Sequence, residues 1–189
     1  MASTLKVDIL QDSGGNNLVT SNGSGVITSA GFGKIGQVKQ TSTDTVTSVN
    51  SAANTFSELT DFATTITPSS TSSKILIMVS VTGGAVSGQS NISFRLRRDS
   101  TDIGISTTGT GNRPNISFSG IGIQENNTLS NCNFQFLDSP SSSSELTYKL
   151  MASGTNSGQI CRINATSNDN DQSYGYRAVS TITLMEILP

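Results

Sequence analysis

The sequence predicts an all-β protein: an antiparallel β-sandwich preceded by an extended N-terminal β arm. Three observations predict it. From residue 74 to 187, about eight short segments alternate apolar and polar residues, with glycine, proline, serine or asparagine turns between them. No stretch of ~10 or more residues there carries a helical period. Serine and threonine make up 56 of the 189 residues while only 33% are hydrophobic, the composition of strands with one buried and one hydrated face.

Residues 1–31 read as an arm. Leu5, Val7 and Ile9 alternate with Lys6 and Asp8 in a short strand pattern. Turn clusters at 13–17 and 21–25 bracket the apolar pair Leu18 and Val19, and Val26-Ile27 follows. So little apolar surface cannot fold alone, so the arm is expected to be ordered by a neighbour through Leu5, Val7, Ile9, Leu18, Val19, Val26 and Ile27. Residues 32–67 read as a β-rich stalk or collar. Within them Gln37 to Ser48 contains no glycine or proline and reads as one long polar strand. Val38, Ser42 and Val46 share a face with Gln40 and Asp44, opposite a face of threonines. Unpaired, such a strand is an edge liability, which predicts pairing with other chains. Phe56, Leu59 and Phe62, spaced three apart, predict a helical turn or a coiled loop.

Residues 68–189 supply the sandwich. Lys74 to Val81 is apolar on both faces and predicts a central strand. Ile92, Phe94 and Leu96 alternate with Ser93, Arg95 and Arg97, and the Asp99–Asp102 turn leads to Ile103 and Ile105 as a hairpin. Ile116 and Phe118 are out of phase with Ile121 and Ile123, which predicts a β-bulge at Gly120. Cys132, Phe134 and Phe136 form one apolar face; Leu146, Tyr148, Leu150 and Ala152 another; Cys161, Ile163 and Ala165 a third. Near the C-terminus, Val179, Thr181, Thr183, Met185 and Ile187 oppose Ala178, Ile182 and Leu184. Many short antiparallel strands of this kind predict a jelly roll.

Composition excludes several functions. Without histidine there is no Ser-His-Asp or Cys-His catalysis and no His-ligated metal. Two cysteines cannot build a structural zinc site. No apolar run is long enough to span a membrane and no secretory leader opens the chain. Lys+Arg 11 against Asp+Glu 13, with pI near 4.9, argues against nucleic acid as a partner. The expectation is a protein with no enzymatic activity and no cofactor.

The opening Met1-Ala2-Ser3-Thr4-Leu5-Lys6-Val7-Asp8-Ile9-Leu10-Gln11, with the Gly/Asn-rich stretch to Gly31, resembles the N-terminal arm of virion appendage proteins, tail fibres among them, from marine tailed bacteriophages. Five further segments resemble the trimeric heads of such proteins: Ser73–Ile77, Arg97–Gly104, Phe136–Pro140, Leu146–Leu150 and Thr181–Ile187. Those heads are similar to tumour-necrosis-factor-like jelly rolls. The resemblance touches both ends and about two-thirds of the chain, and is weakest over residues 31–55. It implies a homotrimer in the virion, assembled in bacterial cytoplasm. The N-terminal arms would grip other virion proteins of the tail, neck or capsid, and the heads would serve host attachment. The alternative station is a decoration trimer clamping the capsid surface; a third reading is a carbohydrate-binding module.

Four sets of residues carry candidate chemistry. Arg95 and Arg97 share a strand face and offer a cationic patch for an anionic host glycan; the plainer reading is a hydrated face with Arg98 paired to Asp99 or Asp102. Tyr174 and Tyr176, beside the Asn168–Asp171 loop, offer an aromatic platform for a sugar, and Tyr176 equally suits a subunit interface. That acidic loop lacks the glycine and distal glutamate of an EF-hand and reads as polar surface. Cys132 and Cys161, in phase with apolar faces, read as buried thiols, with a cross-strand disulfide as the alternative.

Overall fold

The computed structural model describes residues 7–21, 23–24, 27–29, 35–49, 55–85, 91–122, 127–154 and 160–189. The chain divides into two units, Met1–Lys34 and Ile35–Pro189. In the first, β1 (Ile9–Gln11), β2 (Asn17–Ser21) and β3 (Ile27–Ser29) form an antiparallel meander in that order. Local chemistry sets its turns. The Asp12 carboxylate accepts hydrogen bonds from the Gly14 and Asn16 amides, both at 2.9 Å, and from the Asn16 side chain. Those bonds, with Asn16 foremost, hold its pKa below the ordinary value. Gly15 and Gly23 take positive φ, at 79° and 75°, where a side chain would be strained.

The second unit contains β4 (Ile35–Thr43), β5 (Thr47–Val49), β6 (Ser57–Ile66), β7 (Lys74–Ala85), β8 (Asn91–Arg98), β9 (Thr101–Ile103), β10 (Phe118–Gly122), β11 (Ser130–Asp138), β12 (Leu146–Gly154), β13 (Cys161–Ile163) and β14 (Ser180–Ile187). All pairings among them are antiparallel. A five-stranded sheet runs β10-β8-β12-β6, with β9 also on β8. A six-stranded sheet runs β4-β14-β7, with β11 on the far edge of β7. Beyond β14, β13 continues along the same edge of β7 and carries β5.

These pairings nest. β8 pairs with β10, β7 with β11, β6 with β12 and β4 with β14. The chain therefore winds as one long antiparallel ribbon whose successive pairs alternate between the two sheets.

Alternation supplies the core. Ile75, Ile77, Val79 and Val81 of β7 and Ile182 and Leu184 of β14 face Phe94 and Leu96 of β8 and Tyr148 and Leu150 of β12 in one buried cluster. The sheets are closed along both sides. At one seam Phe94, Phe118, Phe134 and Phe136 stack in a row, with centroid spacings of 4.8, 4.9 and 6.4 Å, carrying packing from β8 and β10 across to β11. At the other, β4 and β6 are joined by side chains. Thr41 Oγ1 donates to the Ala63 carbonyl and Thr64 Oγ1 donates to Thr41 Oγ1, both at 2.8 Å.

Three buried polar groups lock this frame. Glu186, only 1% exposed, points inward from β14. Its carboxylate accepts bonds from the Ser69 amide (2.7 Å), the Ser69 hydroxyl (2.6 Å) and Gln37 Nε2 (2.8 Å), tying the β6–β7 loop to β4. Burial would raise its pKa, but these bonds outweigh it and lower the pKa from 4.5 to about 2. Asn164, at φ 64°, fills the junction between β13 and β14. Its Nδ2 donates to the Thr43 and Thr45 carbonyls, both at 3.0 Å, and its Oδ1 accepts from the Ser180 hydroxyl at 2.6 Å. Asp138, at the end of β11, accepts from Arg98 of β8 and Tyr148 of β12, at 2.6 and 2.7 Å, and so bonds one sheet to the other. Burial, then the bond to Asp138, drives the Tyr148 pKa up.

Two expectations need correction. Residues 35–66 are not a stalk: β4 and β6 are strands of the sandwich, since the polar β4 finds its partner in β14 of its own chain. The domain boundary lies between Lys34 and Ile35. Phe56, Leu59 and Phe62 form no helical turn, because Leu59 and Phe62 lie in β6. There Ala63 sits opposite Lys149 while Glu58 sits opposite Met151, so β6 carries extra residues in a bulge. The bulge turns two side chains three positions apart into the same core. The predicted bulge at Gly120 is present, with the register shifting between Ser119 and Ile121. A Cβ at Gly120 would lie 2.8 Å from that of Cys132.

Candidate interaction faces

In the N-terminal unit, Ile9 stands opposite Thr20 and Leu10 opposite Val19. Consecutive strand residues project to opposite faces, so the sheet carries large apolar side chains on both sides. Ile9 is 48% and Leu10 52% exposed; Val7 and Leu18 are also exposed, and Val19 is half-buried. Leu5 and Val26 lie outside the described residues, and so does the side chain of Ile27. Leu10 escaped sequence reading because the Leu5-Val7-Ile9 alternation assigns it to the polar phase.

The second face is the outer surface of the six-stranded sheet. Cross-strand register aligns Val38, Met185, Leu76 and Leu137 in one row over β4, β14, β7 and β11. Val38 is 51% and Leu137 48% exposed, with Met185 and Leu76 half-exposed between them. Ile35 and Ile187 form the adjoining pair, with the exposed Lys74 of β7 opposite Ile187. The next rows are uncharged and, apart from Met78, polar: Gln40, Thr183, Met78 and Gln135, then Ser42, Thr181, Ser80 and Asn133. Hydrogen bonds pin these groups. Gln40 Nε2 donates to Thr183 Oγ1 at 2.7 Å, and Asn131 Nδ2 to Thr82 Oγ1 at 2.8 Å. Three successive rows without charge, the first apolar throughout, have the composition of an interface core. The signal was present in the doubly apolar Lys74–Val81 segment, whose outward residues Leu76, Met78 and Ser80 stay half-exposed.

The five-stranded sheet presents the arginines, and they are engaged. Arg97 Nε meets Asp102 Oδ1 at 2.6 Å and Arg95 Nη1 meets Asp102 Oδ2 at 3.3 Å. Arg95 Nε also donates to the Asn115 carbonyl, and its guanidinium lies 4.0 Å from the Phe56 ring centroid. Lys149, opposite Arg97, pairs with Glu58 at 2.7 Å. Three cations meet two carboxylates, a nearly neutral surface. Arg98 pairs with neither Asp99 nor Asp102; register places it by Tyr148, where it reaches Asp138.

Tyr174 and Tyr176 are exposed on the loop before β14, which an Asp169–Arg177 pair at 2.7 Å secures. Cys132 and Cys161 are free and buried. Opposite Val81 and Ala85 respectively, they occupy different edges of β7, and burial raises both thiol pKa values, that of Cys132 to about 11. Neither is poised for reaction. Among the described residues no cluster of three or more metal-ligating side chains occurs, and no helix is long and apolar enough to cross a membrane.

No family model and no curated protein matches the sequence. Among the solved structures that hold similar chains are two of one virus. One is a structure of infectious bursal disease virus Gx strain, with 10% identity, TM-score 0.44, and coverage of 87% of this chain and 40% of that one. The other is an infectious bursal disease virus VP2 subviral particle, with 10% identity, TM-score 0.37, and coverage of 88% and 45%. The chain spans less than half the length of either.

Proposed function

We propose that this chain is a non-enzymatic structural protein of a tailed-phage virion: a short trimeric appendage anchored by its N-terminal unit, projecting a jelly-roll head for host attachment. One observation carries the reading. The large exposed aliphatic side chains concentrate on the N-terminal sheet and on the outer row of the six-stranded sheet. A self-sufficient monomer has no use for two such surfaces; an anchored oligomer has one for each. The four nested strand pairs support a jelly roll, in which a long antiparallel ribbon is rolled into two sheets. The row Val38–Met185–Leu76–Leu137 supports a homotrimer, because an apolar row that carries no charge packs against copies of its own subunit without self-repulsion. Its partners are then its own copies and another virion protein, with no cofactor.

The test is to count copies of the chain in purified particles by quantitative mass spectrometry against the major capsid protein. Tens of copies are expected for an appendage on tail or neck. Hundreds would put decoration trimers on the shell instead, and absence from particles would overturn the virion reading.

A further inference from the structure

The N-terminal sheet is made of three strands of 3, 5 and 3 residues, too small to bury a core. Its turns are nevertheless fixed from within, by the Asp12 bonds and by Gly15 and Gly23. The shape is encoded, yet among the described residues Ile9, Leu10 and Leu18 stay exposed. The geometry of whatever covers them follows from the register. Ile9 projects from one face beside Thr20, and Leu10 projects from the other beside Val19. A flat docking surface would cover one of these faces and leave the other in water.

Resting on the anchoring role proposed above, we infer that this sheet is clasped rather than laid down: it enters a slot in the virion partner protein with an apolar wall on each side. The strands β1 and β2 carry no charge, so the walls that fit them are uncharged as well. A slot also explains a sheet that is apolar on both sides, whereas one-sided docking requires only alternation of apolar and polar residues.

The experiment adds purified whole-chain protein to particles assembled without it and measures incorporation at limiting protein. Ile9→Thr and Leu10→Thr each remove aliphatic surface from one face, and threonine keeps the strand preference. Each is expected to weaken incorporation about tenfold, while Ser13→Ala in the turn leaves it within about twofold. The assembly state of the free protein, by analytical ultracentrifugation, is expected to be unchanged. Sensitivity to only one of the two would mean a flat surface and overturn the slot. A changed assembly state in either variant would mean that the sheet packs copies of this chain together, and would overturn it too. Deleting residues 7–29 separates the two levels. If the deletion abolishes incorporation while neither threonine variant does, the slot fails and the anchor stands. If the deleted protein still incorporates, the anchoring role itself fails.

Discussion

At the scale of single residues, the least forgiving chemistry lies in three buried polar groups. Glu186 is charged, buried and fully bonded, with its pKa lowered from 4.5 to about 2. Its contribution, about 3 kcal/mol, is present above pH 4.5 and is lost as pH falls through 4.5 toward 2. Urea unfolding measured across that range should show the decline. In Glu186→Gln the slope should flatten, and stability at pH 7 should fall by a similar amount, because an amide NH2 would face Gln37 Nε2. Asn164 makes a different test. Alanine there strands two carbonyls and the Ser180 hydroxyl and also strains at φ 64°, whereas glycine loses the same bonds without strain. Asn164→Ala should cost about 3 kcal/mol or more, with Asn164→Gly about 1–2 kcal/mol milder, by denaturation midpoint.

At the scale of elements, the phenylalanine row is where two strands from different sheets hold each other without backbone pairing. Phe118 sits in the middle of it, so Phe118→Ala should destabilise by about 2 kcal/mol. It should also speed amide exchange in β10 and β11 more than in β4 and β14. Elements were also what the sequence revealed best. Alternation placed Cys132–Phe136, Leu146–Ala152 and Ile182–Leu184 correctly, and the phase slip located the bulge at Gly120, because each is a local property of one strand. What stayed hidden was relational. Leu59 and Phe62 imitate a helical spacing only because β12 opposes fewer residues there. The polar β4 looked unpartnered because β14 lies far along the chain. Arg98 reached past its neighbours to Asp138 for the same reason. The candidate faces were half legible: the arm's apolar residues stood out, whereas the row through Val38, Met185, Leu76 and Leu137 exists only once four distant strands are set in register.

At the scale of the whole molecule, that row makes a direct claim on assembly. Val38→Asp introduces a charge at a position half-open in the single subunit, so subunit stability should change by no more than about 0.5 kcal/mol. The proposed trimer should nonetheless dissociate, read by sedimentation against the parent protein; a variant that associates as the parent does would move the proposed interface elsewhere. The nested winding has a consequence of another kind, in time. Its innermost pair, β8 with β10, joins nearby residues, while its outermost, β4 with β14, joins Ile35 to Ile187. β14 also lies between β4 and β7, so the six-stranded sheet is split until that strand arrives. On a ribosome, β4 would be the first of the nested strands to emerge and would wait longest, holding its open edge until β14 is made. Its composition, polar and free of aromatic residues, suits a segment that must stay soluble while unpaired. Folding should therefore be slow for the chain's length, with closure of β4 on β14 as a late event.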